Sequence, residues 1–424
     1  MSRLDELIAE LCPDGVCFVK LGDLCDLVTK QTGFDYTNHI KSRLLNEKIE
    51  GSVPYIQTKF FSGRKFDYNT DYYVPSDIVE KFPKITLDRK CLLFSIVGAS
   101  IGNVGLFPGH TKCFLGGAIC VAKIKAEYNA DYLYYCVESA HVQRQIRNKT
   151  KGAGQATVTV EDIRSFTVPF PPLPVQQEIV RILDHFTEIT AELQKQLDAE
   201  LTARKKQYEY YLSREFTVLN APIHKIGEIT NVFSAARVHK NEWKTEGVPF
   251  FRSSDVISSF GGVENSRGKA FISFELYENL SAKSGKVKKG DLLITGGGTI
   301  GIPYLVPNDE PLYMKDADLL CIQKNDSVLS EFLYFYFLTP QFRDYLANIT
   351  HDATIPHYTI EQIKKTPIPV PSRNEQEKIV NTISRFFDLC NDLTSGLPAE
   401  IAARQKQYEY YRDKLLTFKE LPKS

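Results

Sequence analysis

The chain has 424 residues, 43% of them hydrophobic and 25% charged, and its 52 Lys+Arg are balanced by 52 Asp+Glu, for a formal net charge of zero. That length exceeds one ordinary core and predicts two or three domains, and the composition excludes a disordered or fibrous chain. No apolar run approaches the roughly 18 residues needed to span a bilayer, and Met1 to Glu10 is charged where a signal peptide would be apolar, so a cytoplasmic protein off the membrane is expected.

Residues 1–17 read as an N-terminal helical segment. From 18 to 125, and again from 222 to 325, short Val/Ile/Phe/Tyr runs punctuated by Gly, Pro, Asn and Asp predict short strands in a mixed domain. A helix is expected near 130–147 and near 330–347. The proline brackets at 169–174 and 367–371 are expected to stop regular structure before the pattern turns helical. Ile379, Ile383, Phe386, Cys390, Leu393 and Leu397 then step by 4 and 3, as in the seam of helices packed side by side. Ile182, Phe186, Ile189, Leu193, Leu197 and Leu201 run similarly, followed by Tyr208 and Tyr211. Gly396 and Pro398 predict a helix stop and a new start in the second stretch; the first lacks that break and reads as one helix.

These elements are written twice. Leu197 to Val218 and Leu397 to Phe418 match at 12 of 22 positions with an offset of 200. Upstream, Ile163 answers Ile363, Pro169 and Pro171 answer Pro369 and Pro371, Tyr132-Leu133-Tyr134 answers Phe332-Leu333-Tyr334, and Lys20-Leu21-Gly22-Asp23 answers Lys225-Ile226-Gly227-Glu228. A duplicated unit of this size sets the whole architecture. The domains expected are 1–17, 18–172, 173–221, 222–371 and 372–424. Residues 18–172 carry 20 Lys+Arg against 15 Asp+Glu, whereas 222–371 carry 16 against 17.

Three segments carry a family likeness: Leu7 to Gly15 (LIAELCPDG), residues 169–180 (PFPPLPVQQEIV), and above all the element ending in Gln-Tyr-Glu-Tyr-Tyr at 204–211 and 404–411. On these, the chain resembles the specificity subunit of type I restriction-modification systems over nearly its whole length. The resemblance implies two α/β target recognition domains with small mixed sheets, joined by long helices that form an antiparallel coiled coil about a pseudo-twofold axis. Each domain would read one half of a bipartite, asymmetric site on double-stranded DNA. The helices would set the gap and dock two copies of the modification methyltransferase, and restriction/translocase subunits would join them. S-adenosylmethionine, ATP and Mg would belong to those partners, with no cofactor or metal on this chain and no catalytic residue in it. Arg204, Gln207, Tyr208 and Tyr211, with Arg404, Gln407, Tyr408 and Tyr411, are the spacer and docking candidates. About 20 residues of helix span roughly 30 Å, comparable to the roughly 34 Å between half-sites one DNA turn apart.

Base-reading candidates fall at matched points of the two copies. Val53 to Ile56 leads into Gln57, Thr58 and Lys59, with Arg64 and Lys65 beyond, while Val248 to Phe251 leads into Arg252, Ser253, Ser254 and Asp255. Each is an apolar strand delivering polar side chains into a loop, and Arg or Gln can pair with guanine or adenine edges. A solvated loop is the plainer reading of the same residues. The glycine turns holding Ser100 and Asn103, and Thr299, could present backbone amides to phosphate. Lys149, Lys151, Gln155 and Thr157 face His351, Thr354 and His357 in a third pair of segments.

Two rivals remain on sequence grounds. Asp77 with Asp88-Arg89-Lys90 imitates the carboxylates and lysine of a metal-dependent nuclease, and the repeat could equally serve a duplicated interaction protein that binds no nucleic acid. Neither a Walker A loop nor a GxGxxG turn in a βαβ context is present. Nine cysteines without a CxxC pair read as buried reduced thiols, neither a zinc ribbon nor a disulfide framework.

Overall fold

The computed structural model describes residues 2–150, 157–260, 270–350, 357–391 and 395–421, with the backbone alone at 259 and 260. Two compact units divide the chain, Met1–Leu193 with Arg404–Ser424 and Gln194–Ala403.

In the first unit the strand Cys91–Ser95 is buried at every position. A continuous apolar run is what a strand covered on both faces requires. Its side chains alternate between two cores. Leu92 and Phe94, with Cys120 and Ala122 of the strand Ile119–Ile124, pack against Tyr132 to Val137, Val142 and Ile146 of two helices and against Val175, Ile179 and Leu183. Cys91, Leu93, Ile119 and Val121 face the other way, onto Tyr55, Ile56, Val74, Phe114 and Leu115. The central sheet runs Cys25–Lys30, Ile119–Ile124, Cys91–Ser95, Val104–Phe107, all antiparallel. The sheet beyond it contains the parallel pair Val53–Ile56 and Cys113–Leu115, flanked by Tyr73–Val74 and Thr86–Leu87.

The second unit repeats the plan. Its antiparallel sheet runs Val232–Ser234, Leu319–Ile322, Leu292–Thr295, Pro303–Leu305, and Val248–Phe251 pairs in parallel with Tyr313–Met314. Leu292 and Ile294 face the helical core while Leu293 and Cys321 face the opposite one.

Two sequence expectations are corrected. The helix expected near 130–147 is two, Ala130–Glu138 and Ala140–Lys149, and its counterpart is Ser330–Leu338 and Pro340–Thr350. In the second copy Pro340 turns Thr339 away from helical backbone. In the first copy, which has no proline there, the Ser139 hydroxyl donates to the Cys136 carbonyl at 2.6 Å and caps the turn. The proline brackets do not end regular structure either: Thr167–Phe170 pairs with Cys17–Lys20, and Pro367–Pro369 with Ile223–Lys225. A two-stranded ribbon leaves one edge of each strand unpaired, where the missing proline N–H costs nothing.

The spacer helix Leu173–Thr217 is continuous over 45 residues, whereas its counterpart breaks into Arg373–Asn391 and Leu397–Leu415. Pro398 sits in the first turn of the later helix, where its lack of an N–H is harmless. Leu393 of the expected seam lies outside the described residues. In the first copy the expected seam is not the interior line: Ile182 is half-buried and Phe186 and Ile189 are 37% and 50% exposed, while the fully buried residue is Leu183, one position off the seam. A pair of helices covers one side of each; the spacer is also covered by helices of a sheet domain near its start, at Val175, Ile179 and Leu183, and near its end, at Leu212 and Phe216.

Each unit pairs helix segments from both copies, antiparallel. In the first unit the Thr187 hydroxyl lies 3.0 Å from the Tyr408 hydroxyl and Phe186 packs on Tyr411. In the second, Tyr208 packs on Phe387 and Tyr211 stacks on Phe386 with ring centroids 5.0 Å apart. The helical tail of one copy therefore completes the unit built on the other copy's sheets.

All nine cysteines are free thiols, and all but Cys17 are buried. Burial pushes the Cys91, Cys113, Cys120 and Cys136 thiols up to about 12. Brief alkylation of the folded protein at mildly alkaline pH is accordingly expected to label Cys17 alone, with the other eight labelled only after denaturation; peptide mass spectrometry reads the outcome.

Candidate nucleic-acid interface

Three backbone hydrogen bonds connect the three candidate segments of the first unit. The Gly116 N–H donates to the Ile56 carbonyl at 2.8 Å, the Ile96 N–H to the Ala118 carbonyl at 3.0 Å, and the Val158 N–H to the Ile96 carbonyl at 3.0 Å. The second unit repeats them: the Lys315 N–H to Phe251 at 2.8 Å, the Gly296 N–H to Asp318 at 2.8 Å, and the Tyr358 N–H to Gly296 at 2.9 Å. Gln57, the turn Gly98–Ser100 and Thr157 thus attach to one run of bonded backbone, as do Arg252, Thr299 and His357. Val97 and Thr157 form a bridge of their own. The connecting pieces, Gly116 to Ala118 and Lys315 to Asp318, were not among the sequence candidates. Their signal was a divergence, Gly116-Gly117 in one copy against Lys315-Asp316 in the other at the same point of the repeat.

The side chains are held to different degrees. Gln57 and Thr58 are half-buried, and Thr58 opens a single turn of 3₁₀ helix, Thr58–Phe60. Lys59 is exposed, pairs with Asp71 and lies 4.9 Å over the Phe60 ring. Lys65 is exposed on the strand Lys65–Phe66, while Arg64 beside it pairs with Asp131 and Asp184. The Asn103 amide donates to the Phe61 carbonyl at 3.3 Å, a structural use, and Ser100 is half-buried. Lys149 pairs with Asp162 at 3.3 Å, and Thr157 is exposed.

In the second copy Ser253 to Asp255 is not the expected loop but the opening of a helix, Ser253–Phe260. Asp255 accepts the Arg252 N–H at 2.9 Å, which caps the helix, and pairs with the Arg252 guanidinium at 3.0 Å. Ser253 is buried and donates to the Asp318 carbonyl at 2.8 Å; Ser254 is exposed. Thr299 and His357 are exposed. Lys151, Gln155, His351 and Thr354 lie outside the described residues.

On the spacer, Arg204 donates to Gln207 at 2.9 Å and Arg404 to Gln407 at 2.9 Å, the same brace in each copy. Tyr208, Tyr211 and Tyr408 turn inward onto the paired helix and Tyr411 reaches Phe186. Tyr210 and Tyr410, which the seam pattern left out because they fall off it, are 59% and 62% exposed at equivalent positions.

A family model described as type I restriction modification DNA specificity domain matches residues 13–203 and 222–403. The chain belongs to that family. A putative type I restriction enzyme specificity subunit of Haemophilus influenzae is 31% identical over 82% of this chain and 88% of its own length. The EcoR124I/EcoR124II specificity subunit of Escherichia coli is 31% identical over 59% of this chain and 61% of its own length. In fold, the chain is similar to one from a solved structure on complex assembly and conformational transition of the type I R-M system (TM-score 0.67, 18% identity, 95% of this chain and 98% of that one). It is also similar to the HsdS subunit of Thermoanaerobacter tengcongensis (TM-score 0.52, 18% identity, 95% and 97% covered).

The nuclease reading finds no support in this specificity-family chain. Asp77 pairs with Arg43, Asp88 with Lys123, Arg89 with Asp26 and Lys90 with Asp131, four separate ion pairs. Among the described residues no group of three or more His, Cys, Asp or Glu could hold a metal ion. A specificity subunit is a non-catalytic member of its system.

In the first unit the backbone run leaves no room at Gly116. A Cβ on Gly116 would lie 2.4 Å from the Ile56 carbonyl oxygen. Gly116→Ala is expected to cost about 1–3 kcal/mol in chemical denaturation, because the strand end must shift, and to weaken DNA binding by the first unit more than Ala99→Ser, on the open turn.

Proposed function

We propose that this chain is the DNA sequence-specificity subunit of a type I restriction-modification complex, with one recognition domain per unit reading one half of a bipartite, asymmetric site. The observation that carries the reading is the matched backbone run in the two units, dressed with different side chains. Gln57, Ser100 and Thr157 stand in one where Arg252, Thr299 and His357 stand in the other. Equal frames with unequal side chains suit two different half-sites, since base edges are discriminated by donor and acceptor pattern. Lys59, Lys65 and Lys149 of the first unit would meet phosphates.

The spacer helices set the gap and dock the modification methyltransferase, in two copies by the repeat. Those subunits bring S-adenosylmethionine; restriction/translocase subunits bring ATP and Mg. Among the described residues no helix is long and apolar enough to cross a membrane, and a cytoplasmic location suits the assembly. Exposed tyrosines at equivalent spacer positions suit a partner that binds twice, because Tyr is an effective interface anchor. Tyr210→Ala with Tyr410→Ala is expected to weaken methyltransferase binding by about 1–2 kcal/mol per site without lowering thermal stability, as read by titration calorimetry.

The deciding experiment co-expresses the chain with its neighbouring methyltransferase and maps methylated adenines by single-molecule sequencing. One split, asymmetric motif is expected, and replacing residues 18–172 with those of a relative should change one half of it alone. A palindrome, or no methylation, would overturn the assignment.

A further inference from the structure

Arg64 follows Gly63 in the turn between the short strands Phe61–Ser62 and Lys65–Phe66. Gly63 has φ +59°, and a Cβ there would lie 2.9 Å from the Tyr134 hydroxyl, so the turn rests directly on the helix Ala130–Glu138. The Arg64 guanidinium reaches Asp131 of that helix at 3.1 Å and Asp184 of the spacer helix at 3.1 Å. It also lies 5.4 Å and 5.0 Å from the ring centroids of Tyr134 and Tyr135. Asp184 accepts the Tyr135 hydroxyl at 2.7 Å, and Tyr135 lies 3.3 Å from Thr187, the residue that meets Tyr408. Lys90 balances Asp131 at 2.8 Å.

One side chain therefore ties a hairpin of the reading domain to that domain's helix and to the spacer. The guanidinium does this with one terminal nitrogen, Nη2, 3.1 Å from both carboxylates and with its carbon close to the two rings. In the second copy the contact between domain helix and spacer is made by rings: Ser384 stands in place of Asp184, Phe335 in place of Tyr135, and Tyr208, Tyr334 and Phe335 each pack a ring on Phe387 at 5.8–5.9 Å.

We propose that Arg64 is a positioning residue of the first recognition domain, one that fixes the hairpin bearing Lys65 on the spacer helix and thereby fixes the gap at which the first half-site is read, without touching a base. This rests on the reading of the chain as a bipartite specificity subunit. Neighbouring gaps differ by about 3.4 Å, one base-pair step. A hairpin held by Arg64 to Asp184 of the spacer and to Asp131 of the domain's own helix, each at 3.1 Å, cannot follow that displacement, whereas one released from the spacer contact can.

The test uses the full chain co-expressed with its methyltransferase and a plasmid library in which both cognate half-sites are separated by the natural gap or by one base pair more or fewer. Arg64→Gln removes the guanidinium; Asp184→Asn removes the charge of its anchor on the spacer and leaves the hairpin untouched. Both variants are expected to raise methylation at the off-by-one gaps, relative to the natural gap, by about fivefold, the scale of a partly solvated ion pair, with the bases of both half-sites unchanged. Relaxation of a base in the first half-site by Arg64→Gln, with the gap still strict, would make Arg64 a base reader and overturn the proposal. Equal loss at every gap, or unchanged gap selectivity, would overturn it too. Should Arg64→Gln fail to fold, Asp184→Asn alone decides. A wild-type complex that methylates no split motif would instead defeat the underlying assignment, and this proposal with it.

Discussion

Everything in each unit depends on one strand that must be covered on both faces. Cys91–Ser95 and Leu292–Thr295 are buried throughout, so a single-layer domain is unavailable to either copy. One face takes helices and the other a second small sheet. This three-layer arrangement separates the tasks of the molecule: the helical layer is continuous with the spacer, and the outer sheet ends in the candidate reading segments. The hydrophobic effect, which cares about area and not about identity, maintains the frame while the loops between strands are free to diverge.

The two copies keep that frame but join it to the spacer by different physics. In the first, Arg64, Asp131 and Asp184 retain 32%, 25% and 44% of their side-chain exposure, so each ion pair contributes on the order of 1 kcal/mol or less and is weakened by salt. In the second, three ring contacts on Phe387 of about 0.5–1.5 kcal/mol each serve the same joint and are indifferent to salt. The magnitudes are comparable, and the directional demands are not. A guanidinium bridge tolerates little displacement; rings packed edge-on and tilted slide. Duplication conserved the location of the joint without conserving its chemistry.

How far the sequence was legible follows from the range of the interactions. The repeat, the switch from strand to helix, the break at Gly396-Pro398 and the unbroken first spacer helix are encoded by neighbours within a few residues, and periodicity reads them. Helix termination at Ser139 was not legible, because a serine hydroxyl closing back on Cys136 competes with helix only where tertiary packing permits the turn. The role of Arg64 was equally hidden. Next to Lys65 in an exposed hairpin it looks like a phosphate or base contact; its carboxylate partners lie 67 and 120 positions away. Tyr210 and Tyr410 were hidden for the opposite reason, since a search for seams rewards the residues that turn inward.

The zero net charge of a DNA-reading chain has a structural counterpart. Lys59, Lys149 and Lys315 each sit against a carboxylate on the same unit, Asp71, Asp162 and Asp318. Pairs this close to solvent are weak, so exchanging a carboxylate for a DNA phosphate requires little free energy, and the same pairing keeps the field of the free protein low. A low field limits long-range steering and non-specific phosphate binding. Discrimination must then come from short-range contacts whose geometry the frame controls, which is why the rigidity of the joint between reader and spacer matters more here than the number of cations the reader carries.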